Sequence, residues 1–210
     1  MSPLPSPIPL FPLPNAVLFP QVVLPLHIFE PRYRKMVQDA MRDHRTIGMV
    51  LLRPGWEADY YGRPPVFAIG CAGRIEACQP LEDGTFDIVL KGVSRFRVVE
   101  EHAGEPYRLA SVEARPEKGG EKAALEAARR RVLAAIGKAA DGPAVMMLHA
   151  DLPHDVFVNA LSQSLPLSPL ERQSLLDCDS VPDRYARLLE ILDFQLAEQT
   201  YGRSKTPIVH

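Results

Sequence analysis

Apolar positions recur along this chain with two different periods, and the change falls near residue 115. Before it the pattern is strand-like. From Ile8 to Tyr33, short β-branched, leucine and aromatic runs are punctuated by Pro9, Pro12, Pro14, Pro20, Pro25 and Pro31, and no lysine or arginine occurs until Arg32. Proline cannot donate to a sheet ladder, so these runs predict short, edge-like or bent strands separated by turns. The apolar run Ile47 to Leu52 predicts a buried strand. Val66 to Glu76 predicts another, with Gly70 and Gly73 as bulge or close-approach points. Asp83-Gly84 is a hairpin signal, followed by alternation in which Phe86, Ile88 and Leu90 share one face. Ser94 to Glu100 and Tyr107 to Glu113 continue it. Six or more short strands with turn signals favour a barrel or sandwich.

One helix interrupts this half, with Pro31 at a first helical position and Tyr33, Met36, Val37, Ala40 and Met41 at helical spacing. Arg53 to Pro65 reads as a long irregular loop carrying Trp56, Tyr60 and Tyr61. Past the turn-like Arg115 to Gly120 stretch the period becomes 3.6. Helices are predicted over Glu121 to Ala140, closed by Asp141-Gly142-Pro143, and over His154 to Leu165. A third opens on the capping box Ser168-Pro169-Leu170-Glu171, and a fourth runs from Asp183 to Gln199 with a frayed tail beyond. The expected organisation is a strand-rich subdomain, barrel or sandwich, over 1–115 and a helical bundle subdomain over 116–210, together one α+β domain.

The 210 residues suffice for a buried core, and 46% hydrophobic with 24% charged residues is ordinary globular composition. A net charge of −2 gives no global footprint for nucleic acid or an anionic membrane surface. No apolar run approaches the roughly 20 residues that cross a bilayer, and prolines break every candidate signal-peptide core. Cys71, Cys78 and Cys178 form neither a CxxC pair nor a metal spacing. The expectation is reduced thiols in a soluble, cytoplasmic protein without a disulfide scaffold.

Little catalytic chemistry is signalled. Of the six histidines only His149 and His154 are near one another, and a spacing of five matches no metal motif. Lys91 to Val98 has a passing likeness to an RNA-recognition strand but lacks its paired stacking aromatics. Arg129-Arg130-Arg131 spreads around a helix and is expected to be a solvated face. The early prolines could serve as a PxxP ligand or as strand punctuation. Trp56, Tyr60 and Tyr61 either form a recognition surface or belong to a loop folded back to bury them.

The motifs themselves carry a resemblance. Leu10-Phe11-Pro12-Leu13-Pro14-Asn15-Ala16-Val17-Leu18-Phe19-Pro20 and Leu24-Pro25-Leu26 resemble the opening of the N-terminal substrate-binding domain of Lon proteases. Gly70 to Ile75, Asp83-Gly84-Thr85, Lys91-Gly92-Val93-Ser94-Arg95-Phe96, Glu171 to Leu176 and Arg184 to Leu192 resemble later motifs of that family, in the family's order. Ile28-Phe29-Glu30-Pro31-Arg32-Tyr33 looks more like the standalone and cereblon-type members than the full protease. The resemblance spans about residues 8 to 195. It implies a PUA-like β-barrel followed by a helical bundle.

In Lon the ATPase and the Ser-Lys peptidase follow this region. Neither Gly137-Lys138 nor Ser204-Lys205-Thr206 has the glycine framework of a P-loop. The expectation is therefore a non-enzymatic module that recognises unfolded or specific protein segments, with no catalytic residues, cofactor, metal or membrane partner. Its candidate contacts are the exposed members of Glu30, Arg32 and Tyr33, beside Trp56, Tyr60 and Tyr61. A small-molecule or RNA-binding PUA-like module is the alternative, and a cryptic hydrolase a third class. The oligomeric state is not set by the sequence.

Overall fold

The computed structural model describes residues 4–102, 106–137 and 152–203, with side chains described as far as residue 198. The predicted close of the first bundle helix at Asp141-Gly142-Pro143 and His149 lie outside the described residues.

Six strands form one mixed sheet: β1 (Ile8–Leu13), β2 (Val23–Ile28), β3 (Thr46–Leu51), β4 (Ile69–Pro80), β5 (Phe86–His102) and β6 (Arg108–Ala114). Their order is β2-β5-β4-β3-β1-β6, and an additional β5–β6 pairing closes the sheet on itself. Closure depends on the length of β5. Its first half lies between β2 and β4, while Phe96 to His102 turns to β6. The alternation of Phe86 to Leu90 and its continuation over Ser94 to Glu100 lie in one bent strand, with a bulge between Val98 and Glu100. β1 runs parallel to β3, Leu10 facing Gly48, and antiparallel to β6, Ile8 facing Ala110. Gly73 sits at a register shift against β5, as its place in the pattern suggests.

A small cluster of Ile8, Leu10, Val50, Ala72, Phe96 and Ala110 fills the barrel interior. The larger core lies outside the barrel. It is shared by α1 (Pro31–Arg42) and by a bundle of α2 (Lys122–Ile136), α3 (His154–Ser164), α4 (Pro169–Asp177) and α5 (Val181–Arg203). α1 buries Tyr33, Met36, Val37 and Ala40, the stripe its periodicity predicts. The predicted capping box is formed: Glu171 N donates to Ser168 Oγ at 3.2 Å and Ser168 N to Glu171 Oε2 at 2.6 Å. α2, α3 and α4 all pack on α5. Arg130 and Arg131 are exposed as expected. Arg129 is not a purely solvated side chain: it lies 3.9 Å from the Phe157 ring centroid and donates to Leu152 O at 2.9 Å. A cation over an aromatic face is drawn to the negative face of the ring, more strongly once partly desolvated.

Two fully buried arginines join barrel to bundle. Arg95 of β5 is 1% exposed and donates to the carbonyls of Leu176, Cys178 and Asp179 at 2.9, 2.5 and 3.2 Å. Arg184 of α5 is 0% exposed; it donates to Leu175 O at 2.8 Å, to Asn159 Oδ1 at 2.5 Å and to the Glu117 carboxylate. Glu117 also lies 4.0 Å from Arg95 Nε. The arginines thus donate to carbonyls at and just beyond the end of α4, where intrahelical donors run out. Asn159 Nδ2 donates to Pro20 O at 3.2 Å, tying the β1–β2 connection to the same network. Burial, and then the neighbouring Arg184 charge, lowers the Arg95 pKa from the ordinary arginine value.

Candidate functional site

The site grows from the joint between β2 and α1. β2 ends at Ile28, Pro31 starts the helix at its first turn, and Glu30 is its N-cap with extended backbone. This geometry turns the Glu30 side chain toward Arg32 rather than onto the helix's own amides, and no side-chain cap bond forms. Arg32 Nε donates to Glu30 Oε2 at 3.0 Å, and Tyr60 Oη donates to Glu30 Oε1 at 2.6 Å. Arg32 also reaches Tyr60 O at 3.4 and 3.5 Å. One carboxylate therefore holds a helix residue and a loop residue together.

The loop between β3 and β4 is more ordered than its sequence suggests. Leu52 bridges Val66, and Trp56–Asp59 makes a 3₁₀ turn entered through Gly55 with φ 89°. That positive φ is one that glycine adopts without steric cost. The turn sets Trp56 edge-on to Tyr60 at 5.4 Å between centroids, and Tyr60 edge-on to Tyr61 at 5.2 Å. The Arg32 guanidinium lies 4.6, 5.0 and 5.8 Å from the ring centroids of Tyr33, Tyr60 and Tyr61. Burial works against its charge, but Tyr33, Glu30 and the hydrogen bonds to Tyr60 and Glu30 outweigh it, and the Arg32 pKa is raised. Burial, then Glu30, also raises the Tyr60 pKa, so this phenol stays a neutral donor.

Five of the six sequence-predicted residues thus form one contiguous surface, with Glu30, Arg32, Trp56 and Tyr60 half-buried and Tyr61 87% exposed. The sixth corrects the expectation. Tyr33 is 4% exposed: motif position put it among the candidate contacts, but the helical period puts it on the inner face of α1. Its ring meets Phe11 edge-on at 4.6 Å, and it supports Arg32 from beneath. The two readings of the aromatic loop divide by residue: Trp56 and Tyr60 fold back in part, and Tyr61 faces solvent.

Beside this surface is a cavity of about 140 Å³ whose walls include Arg63, Tyr107 and Arg108, none of them singled out in the sequence. Arg63 is one residue past Gly62 in the aromatic loop, and Tyr107-Arg108 open β6. Simple alternation marks them only as loop and strand-start residues. Arg95 and Arg184 were visible as motif members, but not as buried partners. Among the described residues no group of three or more His, Cys, Asp or Glu could hold a metal ion. Cys71, Cys78 and Cys178 are free thiols, and burial pushes that of Cys71 up to about 12.

Residues 7–193 match the family described as the ATP-dependent protease La (LON) substrate-binding domain. The chain belongs to this family. A Lon protease 2 of Herpetosiphon aurantiacus is 30% identical over 201 residues, covering 90% of this chain and 24% of that protein. A Lon protease 2 of Myxococcus xanthus is 35% identical over 111 residues, or 53% of this chain and 13% of that protein. The Lon-type chain thus spans about a quarter or less of the curated relatives it matches. Among solved structures, a Lon N-terminal domain protein from Xanthomonas campestris superposes with a TM-score of 0.64 at 27% identity, covering 88% of this chain and 98% of that one. The N-terminal domain of a Mycobacterium avium complex Lon protease shares the fold, with a TM-score of 0.69 at 14% identity over 90% of this chain and 98% of that one. The barrel-plus-bundle α+β architecture expected from the Lon resemblance is the architecture found. No helix among the described residues is long and apolar enough to cross a membrane.

Proposed function

We propose that this Lon-type domain is a non-catalytic, cytoplasmic recognition module that binds protein segments through the surface formed by Glu30, Arg32, Trp56, Tyr60 and Tyr61. Membership of a substrate-binding family supports the class of ligand. The observation that carries the location is the aromatic loop held in place by the Glu30 carboxylate, with Tyr61 left open. Tyrosine and tryptophan bring large contact area with few rotatable bonds, which is why they dominate interface energetics. A surface ordered before binding loses less entropy when a partner arrives. We read 1–115 and 116–210 as subdomains of one domain, supported by the core they share.

The test is titration of a permanently unfolded reporter protein with the purified chain. Replacing Trp56 and Tyr61 together by alanine should weaken binding at least roughly tenfold, the loss expected of interface anchors. The double variant's melting point should stay close to the parent's. Wild-type binding that the double variant keeps in full would move the site elsewhere. A reporter that never binds would remove the reading altogether.

A further inference from the structure

The cavity beside the aromatic loop adds a chemical preference to the reading above, on which this inference rests. Three guanidiniums from separate parts of the chain line it: Arg32 from the first turn of α1, Arg63 from the loop before β4, and Arg108 from the start of β6. Tyr33, Tyr61 and Tyr107 complete much of the wall, and among the described lining residues none is acidic. The carboxylates that serve Arg32 and Arg108 are not among the residues that line the cavity, and Arg63 Nη1 donates to His102 O at 3.1 Å. Glu101 accepts from Arg108 Nε at 2.8 Å and from its Nη2 at 2.5 Å, while Pro64 O accepts from Nη1 at 2.8 Å. Arg108 is only 8% exposed and is fixed in orientation. Glu30 holds Arg32 in the same way.

A guanidinium offers five donors in a planar fork that matches a carboxylate. Among the described residues, the Arg32 hydrogen bonds beyond Glu30 go to the Tyr60 carbonyl, at 3.4 and 3.5 Å, which is long for a charged donor. Its capacity is not exhausted. Tyr33 and Tyr107 do not compete as anions. Burial raises the Tyr33 pKa above the ordinary phenol value, and burial followed by Asp39 pushes Tyr107 up to about 12.

We propose that this pocket seats a carboxylate of the bound protein segment, while the Trp56–Tyr60–Tyr61 loop covers the apolar residues beside it. A volume of about 140 Å³ admits a carboxylate with its adjoining chain atoms and no folded element. The carboxylate can be a chain terminus or an aspartate or glutamate side chain, and peptide chemistry separates the two.

The experiment is fluorescence anisotropy of the full chain with one aromatic-rich peptide made with a free or amidated C-terminus and with an internal Asp or Asn. One of the acid-bearing forms should bind roughly tenfold tighter than the neutral form, the margin of a charge-assisted contact. Whichever form gains identifies the source. Arg63→Gln should erase most of that margin and leave the neutral peptide's affinity unchanged. Arg63 is exposed on a loop, so folding is not at stake, and Arg32→Gln provides a second reading. Equal affinity of all forms for the wild-type chain would overturn the carboxylate pocket and leave protein-segment recognition standing. Failure of every form to bind would overturn both.

Discussion

The molecule places arginine against glutamate in two settings that differ in the exposure of the arginines and in their other neighbours. At the barrel–bundle seam, Arg95 and Arg184 share Glu117 in a nearly dry network whose other acceptors are backbone carbonyls. At the aromatic loop, Arg32 meets Glu30 with side chains 21% and 15% exposed, and its neighbours are rings rather than carbonyls. A buried charge stripped of its partner cannot recover its hydration, so the seam is costly to break. A pair at the surface can exchange its partner for solvent or ligand at little cost. The first arrangement suits holding two halves in one geometry, and the second suits meeting another molecule.

This contrast is broken most severely at Arg184. Arg184→Ala leaves the Glu117 carboxylate without its closest partner and the Leu175 carbonyl with only the 3.4 Å bond from Cys178 N. It should cost on the order of 3–5 kcal/mol, read as a shift of the urea midpoint at unchanged m-value. A loss below about 1 kcal/mol would place the seam with the surface pairs.

Gly92→Ala tests the seam from the barrel side. A Cβ there would collide with the Phe19 carbonyl, and Phe19 in turn lies 5.9 Å from the Arg184 guanidinium. Overpacking of this kind costs roughly 1–3 kcal/mol, measurable by the same unfolding curves. The expected signature is a large stability loss from one methyl group on a residue with no side chain of its own.

At the open site the expected order reverses. Arg32→Ala should change folding stability by about 1 kcal/mol or less while lowering affinity for an unfolded reporter. Parallel melting and titration of this one variant separate the two regions more directly than any other substitution. A large stability loss without an affinity change would make the loop a structural buttress.

The smallest effect lies between the regions, at Asp39. It accepts from Lys35 Nζ at 2.5 Å and from Tyr107 Oη at 3.0 Å, and these bonds, Lys35 first, lower its pKa. With a folded pKa below the unfolded one, its contribution is full above the ordinary aspartate pKa. It is lost as pH falls through the lowered value. Asp39→Asn should therefore remove a few tenths of a kcal/mol at neutral pH and nothing in strong acid.

The sequence carried the elements well where period and punctuation agreed. The α1 stripe, the Ser168 capping box and the Asp83-Gly84 hairpin, with Gly84 at φ 79°, are each set by residues a few positions apart. Strand closure was less legible. Whether Phe86 to His102 is two strands or one depends on β6 and β2 as partners, and no local pattern encodes a partner. The candidate site was legible in the same proportion. Glu30, Arg32 and the aromatic loop were marked by motif position and residue type. Arg63 and Arg108 join the cavity only through tertiary placement, and the Tyr33 burial follows from a helix face that a list of contacts does not respect.

The barrel's closure also rests on pairings between residues far apart in the chain. The parallel partner of β1 lies beyond α1 in the sequence, and its antiparallel partner Ala110, opposite Ile8, lies further still. Arg95 likewise needs Leu176, 81 residues further on, before its charge is fully sequestered. Distant pairings of this kind carry their loop-closure entropy before any reward, which slows folding. Until β6 docks, β1 offers an open edge, and the proline at position 9 and its companion at position 12 restrain that edge from pairing with a neighbouring chain. The punctuation that makes the opening strands awkward to form also guards the wait.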